Sequence, residues 1–187
     1  LEVLDIPDIL PGEGQVRIAI EACGVNFPDT LIIKNAYQYK PELPFSPGGE
    51  VTGKIDALGK GVTDYHVGDN VMAMTLYGGF SEQIVVDAFS LLKRPINMEA
   101  IIAAGFTMTY GTSMHALKQR ANLQPGESLL VLGAGGGVGL AAVEIGKAMG
   151  AIVIAAASSD LKLKAAKRAG ADHLINYEKE NFREQIR

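Results

Sequence analysis

The sequence has 187 residues, enough for one large domain or two small ones at about 100–200 residues each. It carries 17 basic and 21 acidic groups, a net charge of −4, with 48% hydrophobic and 20% charged residues, which excludes disordered, collagen-like and coiled-coil classes. The acidic balance speaks against a nucleic-acid partner, and a single cysteine, Cys23, forbids an intramolecular disulfide and a multi-cysteine zinc site.

Residues 100–117 hold no Asp, Glu, Lys or Arg, but Thr107, Thr109, Thr112, Ser113 and His115 would leave polar groups unsatisfied in lipid. No membrane association is expected. No basic-then-apolar signal opens the sequence, so a cytoplasmic location is the expectation. The chain opens at Leu1 and stops within a charged run, which reads as part of a longer protein.

Proline and charge divide the chain near residue 110. Seven of the eight prolines precede it. Residues 1–110 hold 7 basic and 14 acidic groups, net −7, and residues 111–187 hold 10 and 7, net +3. The expected domains are therefore 1–110 and 111–187. In the first, β-rich runs at 15–22, 49–55, 70–74 and 82–86 alternate with Gly, Pro and Asp turns, the pattern of an antiparallel barrel or sandwich.

The second domain changes period. An apolar strand at 128–132 leads into glycines and then a helix, with Val138, Ala141, Ala142, Ile145 and Met149 at helical spacing. A buried strand at 151–157, a helix from about 160 to 169 and a strand at 173–177 follow. This β-α-β-α-β order predicts a parallel sheet with right-handed crossovers, the first half of a doubly wound fold.

Gly133-Ala134-Gly135-Gly136-Gly137-Val138-Gly139 stands between strand and helix, where glycines let the backbone turn sharply and approach a pyrophosphate. The helix N-terminus then offers N–H groups to the phosphates. A plain tight turn is the competing reading. Ala157, Ser158 and Ser159 end the next strand, where an NAD enzyme carries a carboxylate for the ribose. Asp160 fits an acidic first helical turn, and Ser158 or Ser159 fits an N-cap. Lys162 can reach a 2′-phosphate, so NADPH is favoured over NADH. Lys164, Lys167 and Arg168 add positive potential but read first as a solvated helix face.

His66, His115 and His173 lack zinc-ligand spacing, and Cys23 reads as a structural thiol rather than a nucleophile. Hydride chemistry without a metal suits a substrate that is already electrophilic, such as a quinone or an α,β-unsaturated carbonyl.

These residues carry a resemblance. Pro11-Gly12-Glu13-Gly14-Gln15-Val16, Gly24-Val25-Asn26-Phe27-Pro28-Asp29-Thr30, Pro47-Gly48-Gly49-Glu50-Val51-Thr52-Gly53, Val67-Gly68-Asp69-Asn70-Val71 and the glycine run resemble one family. It is the zinc-independent, zeta-crystallin-like quinone oxidoreductase branch of the medium-chain dehydrogenase/reductases. The resemblance implies a GroES-like barrel domain followed by an incomplete Rossmann domain. It implies Asn26 and Gly49 where zinc members carry cysteine and histidine ligands. It places Asn26, Tyr37 and Thr112 around nicotinamide and substrate, and Gly136, Gly137, Val138 and Gly139 at the pyrophosphate after Gly133. Ser158, Lys162 and Tyr177 would surround the adenosine 2′-phosphate. Tyr37 is the expected hydrogen-bond donor to the substrate carbonyl, although its stretch also reads as a plain loop. The implied function is hydride transfer from NADPH to a quinone, in a homodimer when full length. Alternatives are a reductase of enals, enones or enoyl thioesters, and a non-catalytic nucleotide-binding or crystallin-like protein.

Overall fold

The structure, a computed structural model, describes residues 1–179; the charged run that closes the sequence falls outside them. The chain divides into two compact units, Leu1–Thr107 and from Met108 onward.

The first unit is built on β1 (Gln15–Cys23), β2 (Glu50–Leu58), β3 (Asn70–Met74), β4 (Gln83–Asp87) and β5 (Leu91–Lys93). They form one antiparallel sheet in the order β4-β1-β2-β3-β5. Alternation explains the burial: Val16 and Ile18 of β1 point to the same face as Val51 and Ile55 of β2 and Val71 of β3, and join Ile84 and Leu91 in one core. The register between β1 and β2 shifts twice, at Arg17/Ile18 and at Ile20/Ala22, which bends the sheet. Residues 82–86 were expected as a strand; the strand lies at Gln83–Asp87.

Two elements escape the strand pattern. Helix α1 (Phe27–Ile33) follows Asn26, whose N–H donates to Asp29 Oδ2 at 2.7 Å across the first turn. Asp29 Oδ1 accepts the Gly48 N–H at 3.2 Å, tying α1 to the turn that enters β2. Helix α2 (Ala100–Ala103) packs on β1 and β2.

In the second unit α3 (Thr107–Met114) runs on into a wider π-type stretch, His115–Arg120. There follow β6 (Ser128–Leu132), α4 (Gly137–Ala148), β7 (Ile152–Ala157), α5 (Asp160–Arg168) and β8 (His173–Asn176). The strands pair in parallel, in the order β6-β7-β8. The sheet and helices share a core of Val131, Val143, Ile145, Val153, Ala155 and Ala166. Asp172 fastens it, accepting from Lys147 Nζ at 2.8 Å and the Val153 N–H at 2.7 Å; those bonds hold its carboxyl below the usual range. Periodicity misplaces part of α4: Val138 is 45% exposed, while Val143 and Gly146 are buried with Ala141 and Ile145. α4 touches β6, β7 and α5, so its buried stripe is broader than one sheet-facing row.

Candidate functional site

The glycine turn connects β6 to α4 and owes its shape to two positions. Gly133 has φ +65, a conformation that costs an L side chain energy. At Gly139 an added Cβ would lie 2.4 Å from the Gly133 carbonyl oxygen and 2.8 Å from Ala134 Cα, so helix and turn approach as only glycine allows. Gly136 and Gly137 are different. A Cβ on Gly136 would find nothing nearer than the Gly133 oxygen at 3.6 Å, and one on Gly137 would meet only the Thr109 methyl at 3.0 Å. Packing does not require glycine at 136, where φ is −88. The open space over Gly136 is what a bound phosphate group would need. Among the described residues, the N–H groups of Gly137, Val138 and Gly139 meet no backbone acceptor, as at any helix start. Together they fit a pyrophosphate.

Thr112 lies exposed on α3, one residue before the buried Ser113. Ser113 Oγ donates to the Val138 carbonyl at 2.8 Å, so α3 is docked on the first turn of α4. Tyr110 bonds Glu144 further along the same helix, which raises the Tyr110 hydroxyl above its ordinary value. The contact of Ser113 with Val138 carried no sequence signal, because its partner is a backbone group 25 residues away.

At the far end of β7, Lys162 Nζ donates to Ser158 Oγ at 2.9 Å. The Lys162 stem crosses the glycine turn: a Cβ at Gly135 would come within 2.4 Å of Lys162 Cβ and 2.7 Å of its Cγ. Ser159 is the N-cap of α5, accepting the Lys162 N–H at 3.4 Å. The Tyr177 N–H donates to the Ala157 carbonyl at 3.3 Å, which places the tyrosine backbone beside the end of β7. Gly133, Gly136, Gly137, Val138, Gly139, Ser158, Lys162 and Tyr177 thus gather along the ends of β6, β7 and β8, where doubly wound sheets bind dinucleotides.

In the first unit, Asn26 Nδ2 donates to Glu50 Oε2 at 3.1 Å, and Glu50 is fully buried. Glu50 and the buried Asp29 therefore orient Asn26 from two sides. Tyr37 is half-buried on the loop between α1 and β2. No bond links it to Asn26. The same loop is anchored by Tyr39, stacked on Tyr77 with ring centroids 5.7 Å apart, and by Phe45 edge-on to Tyr77 at 6.1 Å.

Cys23 lies beside Gly48 and Gly79, where an added Cβ would come within 2.8 and 2.7 Å of its sulfur. Burial pushes its thiol up to about 11 from 9.0. Native protein should therefore react with iodoacetamide roughly a hundredfold more slowly than a free cysteine peptide at pH 7.5, because the thiolate is the nucleophile. Equal rates would show an ionised, accessible thiol. Among the described residues no group of three or more His, Cys, Asp or Glu is placed to hold a metal ion, and no helix is long and apolar enough to cross a membrane.

Comparison with known proteins adds the family. The alcohol dehydrogenase GroES-like domain matches residues 12–96, and the zinc-binding dehydrogenase family matches residues 137–187. A quinone oxidoreductase-like protein 2 homolog of Nematostella vectensis is 39% identical over 94% of this chain and 48% of that protein. The crystal structure of Escherichia coli quinone oxidoreductase complexed with NADPH superposes with a TM-score of 0.93 at 30% identity, covering 98% of this chain and 56% of that one. The CurK enoyl reductase superposes at 0.89 with 31% identity, covering 98% and 57%. The chain spans about half the length of the curated relatives it matches. With both domain types and relatives of this kind along nearly its whole length, the chain belongs to the medium-chain dehydrogenase/reductase superfamily, among the quinone oxidoreductases and their relatives.

Proposed function

We propose that this protein is a zinc-independent oxidoreductase that passes hydride from NADPH to a quinone. The observation that carries the cofactor is the end of β7. Ala157, Ser158 and Ser159 supply no carboxylate for a free ribose 2′-hydroxyl, whereas Lys162 and Ser158 are already joined at 2.9 Å as a cation and hydroxyl pair suited to a 2′-phosphate. The NADPH complex of the Escherichia coli relative supports this reading.

When bound, NADPH supplies the hydride. The rest is positioning by the chain. Gly137, Val138 and Gly139 would hold the pyrophosphate on their N–H groups, with Gly136 leaving room for it and Gly133 shaping the turn. Ser158, Lys162 and Tyr177 hold the adenosine end. The family resemblance assigns Asn26, oriented by Glu50 and Asp29, and likewise Thr112 to the nicotinamide end. Asn26 and Gly49 stand where zinc members of the family carry ligands, which suits a substrate needing no Lewis acid. A quinone takes hydride into its conjugated ring, and negative charge then grows on its oxygen. Tyr37 is assigned to donate a hydrogen bond to that oxygen, and solvent completes the proton balance.

A second reading has its own support in the CurK enoyl reductase neighbour: reduction of a conjugated carbon–carbon double bond. NADPH consumption measured with 1,4-benzoquinone and with a 2-alkenal separates the two. We expect kcat/KM at least about tenfold higher for the quinone. The reverse order would establish the double-bond reductase. NADPH binding without turnover of either would sink the enzymatic reading and leave a nucleotide-binding protein.

A further inference from the structure

Close to Ser158 and Lys162, the first turn of α5 carries a carboxylate, Asp160. It lies two residues beyond Ser158 and two before Lys162. An ionised carboxylate so placed opposes a 2′-phosphate. Its two oxygens, however, are both committed. Oδ1 accepts from Asn176 Nδ2 at 2.7 Å, and Oδ2 accepts from Lys179 Nζ at 2.6 Å. Asn176 is 3% exposed, at the end of β8, and its own Oδ1 accepts the Glu178 N–H at 3.2 Å. The Lys179 N–H closes the same turn on the Asn176 carbonyl at 3.0 Å. Asp160 is thereby drawn toward the turn after β8 and paired with a cation. Among the described residues, Lys162 Nζ in contrast bonds only to the neutral Ser158 hydroxyl.

We propose that Lys179 is a specificity-determining residue for the cofactor: it neutralises Asp160, held in place by Asn176, so that the only carboxylate in the first turn of α5 does not repel the 2′-phosphate beside Ser158 and Lys162. The inference rests on the proposed use of NADPH. It assigns to Lys179 no contact with the cofactor. The Asp160 carboxyl, held below its ordinary value first by Lys179 and then by Asn176, agrees with this pairing. Lys179 is 64% exposed, so its removal leaves the core intact.

The test is binding rather than turnover, because nicotinamide fluorescence reports NADPH and NADH directly. Lys179→Ala is expected to lower the ratio of NADPH to NADH affinity by about threefold or more, the size of one uncompensated charge near a phosphate in a mostly aqueous setting. Asp160→Asn keeps the bond to Asn176 while removing the charge. In the double variant D160N/K179A the wild-type ratio should return. Four results would overturn the proposal. Unchanged affinity for both cofactors in K179A shows the pair to be inert. Equal weakening of both cofactors shows that Lys179 only holds the turn. A lowered ratio that D160N does not restore makes Lys179 a direct phosphate ligand. A wild-type protein with no preference for NADPH overturns the cofactor reading itself, and this inference with it.

Discussion

Replacing Lys162 with alanine should weaken NADPH binding roughly ten- to a hundredfold while leaving NADH binding within about twofold. The size follows from the loss of one charge-assisted hydrogen bond to a phosphate, about 1.5–3 kcal/mol, against a cofactor that presents a hydroxyl at the same place. The fold should tolerate the change. Alanine is the best helix former, and it retains the Cβ that packs over Gly135 while losing only the Cγ and the stem beyond. The capping bond from the residue 162 N–H to Ser159 Oγ uses the backbone and survives. Fluorescence titration with both cofactors is the measurement. Equal losses for the two would mean that the Lys162 stem supports the glycine turn and that its charge reads no phosphate.

This prediction concerns residues that were legible because their relations are local. Ser158 and Lys162 are four positions apart, and the reach of one helical turn fixes their distance. The glycine turn was legible for the same reason: a strand of known type, a run of glycines and a helical period occupy consecutive residues. β1, β2, β3 and β6 could be read from alternation or from continuous apolar runs bounded by turn residues. β5 has three residues, too few for any period to register. α1 has seven, and its start is fixed less by periodicity than by the Asp29 carboxylate on the Asn26 N–H.

What sequence could not supply is whatever depends on register between distant elements. Asp160 meets Lys179 across 19 positions only because β8 pairs with β7 so that Ala157 lies opposite Asn176. By itself Asp160 reads as an acid in a first helical turn, which is also true. Glu50 is a similar case. Nothing in the local pattern marks this glutamate for burial, yet it is fully buried, and its acceptance of the Asn26 amide needs two segments 24 residues apart. Val138 shows the opposite error. It fits the helical apolar spacing, but the first turn of α4 is open on the side where the glycines leave room, so Val138 remains exposed.

That open space gives the sharpest separation between glycines required by the fold and glycines required by a ligand. Gly139→Ala should lower the melting temperature by roughly 5–10 °C. Its Cβ would lie 2.4 Å from the Gly133 oxygen and 2.8 Å from Ala134 Cα, and both are backbone atoms that cannot rotate away. Overpacking of this kind costs about 1–3 kcal/mol or more, and in a protein of this size each kcal/mol shifts the midpoint by roughly 2–4 °C. Helix propensity returns about 1 kcal/mol at most. Gly136→Ala should do the reverse. Its Cβ would meet only the Gly133 oxygen at 3.6 Å, ordinary contact, so stability should change by no more than about 1 kcal/mol, the loss of a favourable N-cap residue. The same methyl would stand where the pyrophosphate must approach, and binding of NADPH and NADH should fall together by at least about tenfold. Thermal melting and cofactor titration on the two variants therefore give opposite patterns. A Gly136→Ala protein that binds both cofactors as tightly as wild type would leave the glycine run as a tight turn and nothing more.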